Sequence, residues 1–371
     1  MPTFTEGNDT YLVHTAGTFD LDFLGGGDTL TVQGGTSTTA HMGTGNDVVQ
    51  LKSGLANVFG DAGADRFDIY AANATADGGG DNDLVNLRGG SGVTAHGGLG
   101  DDRFNFYADT AGATLYGDDG DDDFFGYNHN ITGSLYGGAG NDYFVQFRTG
   151  ATLRGGLGND VYRITVGSPA NILENAGEGI DTVQVARGYT YWLPDNVENV
   201  SVLGFSGSVL TGALLLGNAL DNRIVGNNND EEINGQWGND TLIGKGGNDT
   251  LVGSLGVDSL SGGAGADDFG YEDIGDSSPR LGYDTIRDFE AGIDWIDLQE
   301  IDANGLTDGN AAFNTNGTST GTPGDLWITP YGAVGASNYM IYGDVNGDGQ
   351  PDFQIRIHLV SGSIEQINFV Y

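Results

Sequence analysis

A six-residue phrase, Gly-Gly-x-Gly-x-Asp, recurs along this chain at a fixed period, and a fixed period constrains a fold more tightly than composition does. The phrase is clearest at 137–142 and 155–160. The aspartates that close it in the first half are Asp9, Asp28, Asp47, Asp65, Asp83, Asp102, Asp122, Asp142 and Asp160, in steps of 18 to 20 residues. Two residues after each stands a large apolar side chain: Tyr11, Leu30, Val49, Phe67, Val85, Phe104, Phe124, Phe144 and Tyr162. Most turns repeat the signal at the fourth residue, with Val13, Val32, Leu51, Ile69, Leu87, Phe106 and Ile164. Alternation at period two is the pattern of a half-buried strand. Repeated every 18 to 20 residues, it predicts strands stacked turn on turn. After Asp122 and Asp142 the fourth place holds Gly126 and Gln146, and the 20-residue spacing there predicts a small bulge.

The other half of each turn lacks the acidic phrase but carries its own apolar column: Leu21, Ala40, Val58, Ala76, Ala95, Leu115, Leu135 and Leu153. It reads as the opposing core strand, so acidic turns should line one edge only. Beside it runs a column that should face outward: His41, Phe59, Asp77, His96, Tyr116, Tyr136 and Arg154. This column reads either as a contact ladder for carbohydrate or a neighbouring protein, or as aromatics that merely suit a strand surface.

The period breaks over 165–216, where alternating apolar and polar residues read as a connecting β segment. From Gly217 the spacing is a strict nine, with blocks starting at Gly217, Gly226, Gly235, Gly244, Gly253 and Gly262. Their core positions are Ile224, Ile233, Leu242, Leu251, Leu260 and Phe269. Their closing residues are Asn222, Glu231, Asp240, Asp249, Asp258 and Asp267, so here both edges should carry acids.

The charge explains what such turns are for. The 371 residues hold 52 acids against 13 basic residues, a net charge of −39. That excludes a nucleic-acid binder, which is basic. It also predicts strong self-repulsion in a compact state unless cations bind. Glycine (67 residues) lets a turn aim carbonyl oxygens inward, and each aspartate adds a carboxylate at the same point. Ca²⁺ takes 6–8 oxygen ligands in a flexible shell, so one turn's carbonyls and the next turn's carboxylate can share an ion. Multiple Ca²⁺ ions are therefore expected. Cysteine is absent, which removes disulfides and thiolate metal sites. No apolar run reaches the length of a transmembrane helix, and MPTFTEGNDT at the start is not a signal peptide.

After Asp267 come Asp284-Thr285-Ile286-Arg287-Asp288-Phe289, Gly292-Ile293-Asp294-Trp295-Ile296-Asp297-Leu298 and Asp344-Val345-Asn346-Gly347-Asp348-Gly349-Gln350-Pro351-Asp352-Phe353. This region resembles the C-terminal domain of serralysin-type metalloproteases and related RTX (repeats-in-toxin, hemolysin-type) proteins. With the repeats, the resemblance covers nearly the whole chain. It implies export by the type I secretion machinery through an uncleaved C-terminal signal, with folding in external calcium. The ending Glu365-Gln366-Ile367-Asn368-Phe369-Val370-Tyr371 is similar to the family's acid-then-apolar terminus, with Asn368 where an acid is expected. Asp344, Asn346, Asp348 and Asp352 read either as a shortened calcium loop, since Ile355 stands where an EF-hand has its glutamate, or as an Asx-rich turn. Residues 303–338 read as a long surface loop with short strands near Trp327 and Tyr339.

The sequence thus predicts an all-β chain. A parallel β-roll (β-solenoid) with Ca²⁺ in its turns spans 1–164, a connecting β segment 165–216 and a strict nonapeptide roll 217–270. A β-rich serralysin-type secretion and capping domain spans 271–371. The five histidines make no His-Glu-x-x-His, there is no Gly-x-Ser-x-Gly elbow, and the repeats begin at Gly7, so no enzyme is expected. The leading functional expectation is a secreted, extracellular or cell-surface calcium-binding protein that self-associates in a surface layer or matrix. It rests on how little sequence precedes the first phrase to cap a solenoid edge. The alternative is a polysaccharide-binding or polysaccharide-modifying protein that uses the aromatic turns from Phe104 to Phe147 on a cell-surface glycan.

Overall fold

The structure is a computed structural model that describes residues 3–35, 37–147, 150–164, 171–186, 190–204, 212–304, 311–315, 317–333 and 337–371. The chain divides into two compact units, Met1–Gln184 and Val185–Tyr371. Among the described residues the only helical element is one 3₁₀ turn, Ile364–Gln366. The fold is an all-β parallel solenoid.

In the first unit each turn contributes one strand to each of two sheets. The strands that follow the aspartates, from Thr10–Val13 through Arg66–Ile69 and Arg103–Phe106 to Val161–Ile164, pair parallel with their counterparts one turn on. The strands of the other half, from Thr18–Asp22 to Asn171–Ile172, do the same. Register is set so that each residue meets its own equivalent: Phe67 pairs with Val85, Leu115 with Leu135. Both apolar columns read from the sequence lie in the core, almost all of it fully buried. Because parallel neighbours lie about 4.8 Å apart, identical rings in one column stack. Phe104, Phe124, Phe144 and Tyr162 form a continuous buried pile with centroids 4.6, 4.7 and 5.1 Å apart.

The two 20-residue turns show how the period stretches. The strands Asp123–Phe125 and Tyr143–Val145 are one residue shorter than their neighbours. The register shift itself falls in the other sheet, between Thr110 and Ala113 of the strand Thr110–Asp119. Gly126 brings no side chain to the inner fourth position. Phe147 fills that space instead, packed edge-on to Phe106 at 5.8 Å, and a Cβ on Gly126 would press against its ring.

In the second unit consecutive nonapeptides alternate between sheets. Arg223–Val225, Thr241–Gly246, Ser259–Ala264 and Thr285–Glu290 build one. Leu214–Leu216, Glu232–Asn234, Thr250–Val252, Asp268–Gly270 and Trp295–Asp297 build the other. The core positions from Ile224 to Phe269 are fully buried. Within the second unit, the connecting segment's strands Thr190–Trp192 and Asn199–Val202 pair parallel with Leu214–Leu216 and Arg223–Val225, and residues 165–170, 187–189 and 205–211 lie outside the described set. Beyond the array, Phe353–Ser361 adds parallel to Thr285–Glu290, and Asn338–Asp344 and Asp325–Pro330 follow it as an antiparallel meander. So the 303–338 stretch holds a six-residue strand at Trp327 and the start of another at Tyr339, with 305–310, 316 and 334–336 outside the described residues. The tail strand Asn368–Val370 pairs with Trp295–Asp297.

Phe124 is stacked on both faces, so Phe124→Ala should cost about 3–5 kcal/mol. Tyr116→Ala, on the outer face, should cost under about 1 kcal/mol. Chemical denaturation in saturating calcium measures both, and equal losses would contradict the buried-pile assignment.

Candidate calcium sites

Each ladder aspartate uses its two carboxylate oxygens differently. Oδ1 accepts the backbone N–H of the equivalent residue one turn earlier. The amide of Asp83 donates to Asp102 at 2.7 Å, that of Asp102 to Asp122 at 2.7 Å, and that of Asp122 to Asp142 at 2.8 Å. The line is unbroken from the amide of Asp9 to the carboxylate of Asp160. Oδ2 is buried and has no protein partner in Asp28, Asp47, Asp65, Asp83, Asp102, Asp122, Asp142 and Asp160. The same holds for Asp240, Asp249, Asp258, Asp267 and Asp284 in the second unit. A buried anionic oxygen without a donor costs several kcal/mol, and here the cost repeats at every turn.

The glycines show what these oxygens face. A Cβ on Gly117 would collide with both Asp122 Oδ2 and the carbonyl oxygen of Gly137, one turn ahead. Gly60, Gly78, Gly97, Gly137, Gly235 and Gly244 repeat this geometry, each with its own aspartate and the next turn's glycine carbonyl. The first glycine of the phrase therefore keeps clear a pocket walled by one carboxylate oxygen and one carbonyl oxygen. The second and third shape the turn: Gly138 and Gly140 have φ of 126° and 136°, and each packs against a carbonyl of the preceding turn. Where Gln236, Lys245 and Ser254 replace the second glycine, the backbone still takes φ of 75°, 81° and 64°. Among the described residues no three His, Asp or Glu side chains converge on one point. The donor set is instead one carboxylate plus backbone carbonyls, the hard-oxygen set that suits Ca²⁺. The orphaned oxygens and the glycine-cleared pockets fit such an ion, which would supply the missing partner and neutralise stacked acids.

Burial pushes the carboxyls of Asp65, Asp83, Asp122, Asp142 and Asp240 up to about 8. Asp102, Asp160, Asp249 and Asp258 rise to about 7 for the same reason. The amide hydrogen bond works against the rise, and neighbouring carboxylates add to it.

The sequence-derived candidates divide into three groups. Asp28 to Asp160 form one ladder along one edge. Asp240 and Asp258 share one edge of the second unit, while Asp249 and Asp267 share the other, with amide links Asp240 to Asp258 (2.7 Å) and Asp249 to Asp267 (2.9 Å). Asp9 ends its line, its carboxylate taken by the amide and hydroxyl of Thr5. Asp344, Asn346, Asp348 and Asp352 meet in one separate loop. There Asp344 accepts the amides of Gly347 (2.7 Å) and Gly349 (2.8 Å), and Asp352 accepts those of Val345 and Asn346.

Sequence reasoning passed over three ladder members. Asp181 accepts the amide of Asp160 at 2.9 Å, Asp284 that of Asp258 at 2.8 Å, and Asp294 that of Asp267 at 3.1 Å. Each ends a Gly-x-Asp-x-apolar string (Gly179, Gly282 and Gly292 lead them), but the intervals lengthen to 21, 26 and 27 residues.

Comparison with known proteins agrees with this geometry. Residues 196–370 match the family of the peptidase M10 serralysin C terminal. Residues 114–129 and 134–145 match the RTX calcium-binding nonapeptide repeat. This is a chain of RTX repeats with a serralysin-type C-terminal region. No curated protein matches it. Among solved structures it is similar to the AlgE6R3 subunit from the Azotobacter vinelandii mannuronan C5-epimerase, at 28% identity over 42% of this chain and 77% of that one, with a TM-score of 0.30.

Two outcomes follow for this RTX chain. Changing Asp142 and Asp160 together to Ala should raise the calcium midpoint of folding and lower its cooperativity, and an unchanged titration would remove the site assignment. The second concerns pH. The ladder carboxyls titrate higher in the metal-free fold than the ordinary 3.8, so that fold binds more protons than the unfolded chain between about pH 4 and pH 8. Metal-free stability should therefore fall as pH rises through this window. Calcium must displace those protons, so its midpoint should drop from pH 6 to pH 8. Circular dichroism with and without chelator reads both, and a metal-free fold more stable at pH 8 than at pH 5 would contradict the burial of these groups.

Proposed function

We propose that this RTX protein is exported unfolded through type I secretion, folds on extracellular Ca²⁺ and self-associates as a surface-layer or matrix component. The observation that carries the calcium step is the row of buried carboxylate oxygens without protein partners. The aspartates named above are the proposed ligands, and the Asp344–Asp352 loop is a proposed further ion loop. Scarce cytosolic calcium leaves the acids to repel one another and hold the chain open. External calcium binds only the folded state and stabilises it by mass action.

Self-association is proposed at the edge strands of the first unit, where the described pairings of Thr10–Val13 and Thr18–Asp22 are those with Thr29–Gln33 and Ser37–His41. Phe4 covers only the core rings beneath them, stacking on Phe23 at 3.8 Å and edge-on to Tyr11 at 5.7 Å. Unpaired strand edges recruit another strand. The reading is non-enzymatic, since the matched families are a repeat and a C-terminal region. A second reading, glycan binding, is favoured by a cluster of guanidinium and aromatic groups on the first unit.

A calcium titration followed by circular dichroism and light scattering tests the reading. Folding and ordered assembly should appear together near about millimolar calcium, the range of extracellular modules. A chain that folds yet stays monomeric at high protein concentration would end the surface-layer proposal. A chain that folds fully in chelator would end the calcium one.

A further inference from the structure

Basic residues are scarce in this chain, yet four of its 13 lie on one outer face of the first unit. Arg66 and Arg103 occupy one outward column of the sheet that follows the aspartates, two strands apart through Leu84. Arg163 continues the next outward column, which runs Asp68, Asn86, Asn105, Phe125, Val145, Arg163 in register. Arg88 flanks it. Among the described residues, only Asp68 and Asp123 oppose these four charges by ion pairs. On a molecule of net charge −39 this face is an island of opposite sign.

The face is also built. Asp68, Asn86 and Asn105 point outward by strand alternation, yet they are 5%, 2% and 4% exposed. They form a buried polar floor along this face. Asn86 donates to Asp68, Asn105 donates to Asn86, and the Tyr127 hydroxyl donates to Asn105, each at 3.1 Å. Over this floor stands a stack. The Arg88 guanidinium lies 4.7 Å from the centre of Tyr107, Tyr107 is 5.6 Å from Tyr127, Tyr127 is 5.8 Å from Phe125, and Arg103 caps Phe125 at 4.5 Å. Tyr127 and Asn128 both hold φ in the left-handed region, at 45° and 63°, a strain tolerated where a side chain must be aimed. Tyr107 and Tyr127 remain 47% and 42% exposed. The stack fixes the guanidinium planes while the Arg88 and Arg103 side chains stay 30% and 51% exposed, and a planar guanidinium fork recognises planar carboxylates.

We propose that this face binds an extended polysaccharide bearing carboxylates, of polyuronate chemistry. Arg66 and Arg103 are two strand spacings apart, about 10 Å. That suits a polymer whose charges are sparser than nucleic acid, with one phosphate per about 3.4 Å of strand. The tyrosine edges and hydroxyls, stepped turn by turn, suit a chain of hydroxylated rings. The proposal deepens the glycan-binding reading and rests on it, and it is independent of self-association.

The test is calorimetry on the full chain, in calcium that holds the fold, with short oligogalacturonates that do not gel. Neutral glucan oligomers and oligothymidylate serve as comparison ligands. Oligogalacturonate should bind, and the others should not. Tyr107→Ala with Tyr127→Ala, and separately Arg103→Gln, should each weaken binding about tenfold or more, with unchanged circular dichroism. Tyr116→Ala with Tyr136→Ala, on the other sheet, should leave it unaltered. Binding of neutral glucan with equal strength would overturn the polyuronate assignment and keep the glycan reading. Absence of binding to either glycan would end both. Binding that survives the Tyr107/Tyr127 change would place the ligand elsewhere, as on calcium at the acidic edge, and overturn the site.

Discussion

The structure depends on one divided carboxylate. Along the ladder from Asp28 to Asp160, and again at Asp240, Asp249, Asp258, Asp267 and Asp284, one aspartate oxygen closes a hydrogen bond to the turn before it, and the other is buried with nothing to accept from. The first oxygen fixes register, since only a chain advanced by one whole turn brings the next carboxylate to that amide. The second makes the register costly. Among the described residues thirteen such oxygens stand buried without a protein donor, and neighbours in a ladder repel. A solenoid held only by its apolar columns would work against this load at every turn. A divalent cation changes its sign, because the same oxygens then become ligands. On the proposed calcium reading, stability is thereby made conditional on a solute outside the chain.

Parallel stacking in register has a second consequence: every residue meets its own equivalent. For apolar positions this is favourable, as the pile from Phe104 to Tyr162 shows. For charged positions it is unfavourable unless the column varies. The outer columns do vary. In one, His41 stacks on Phe59 and His96 on Tyr116, while His41 and His96 also pair with Asp61 and Asp118. In the other, Asp68 is followed by Asn86 and Asn105, which replaces a like-charge column by a chain of amide donors. The acidic turns are the exception, where like charge is kept at every step. That exception is what distinguishes a cation-dependent column from ordinary strand surface.

Much of this was legible because period-two alternation and a fixed turn length are both written in residue type. The core columns from Tyr11 to Tyr162 and from Leu21 to Leu153, and the alternation of nonapeptides from Ile224 to Phe269, follow from spacing alone. What escaped was local compensation. Asp181, Asp284 and Asp294 take ladder positions although insertions push them out of step, because the amide of the previous turn, not the count of residues, selects the partner. Phe147 enters the core because Gly126 leaves room, a trade visible only once the two are neighbours. The bulge read at the acidic turns falls in the opposite sheet, where an extra residue does not disturb a carboxylate–amide link. The burial of Asp68 was hidden too, since its cover comes from guanidinium groups on its own and the next turn.

The two units solve the acid problem on different scales. The first keeps its aspartates along one edge, so one line of cations would suffice, and its other edge is free to vary in length, as the shift between Thr110 and Ala113 shows. The second repeats every nine residues and carries acids along both edges, and the insertions ahead of Asp284 and Asp294 leave their links to the previous turn intact. Its ladders end at Asp284 and Asp294, and the strands that follow these residues, Thr285–Glu290 and Trp295–Asp297, are the ones on which Phe353–Ser361 and the tail Asn368–Val370 are laid. The strand Asn368–Val370 is hydrogen-bonded to Trp295–Asp297. Since Trp295–Asp297 follows Asp294, and Asp294 accepts from the cation ladder through Asp267, the tail can dock only on an edge that the acids have already agreed to form. On the calcium reading, the ion would thus decide both whether the roll exists and when the strand Asn368–Val370 can dock on it.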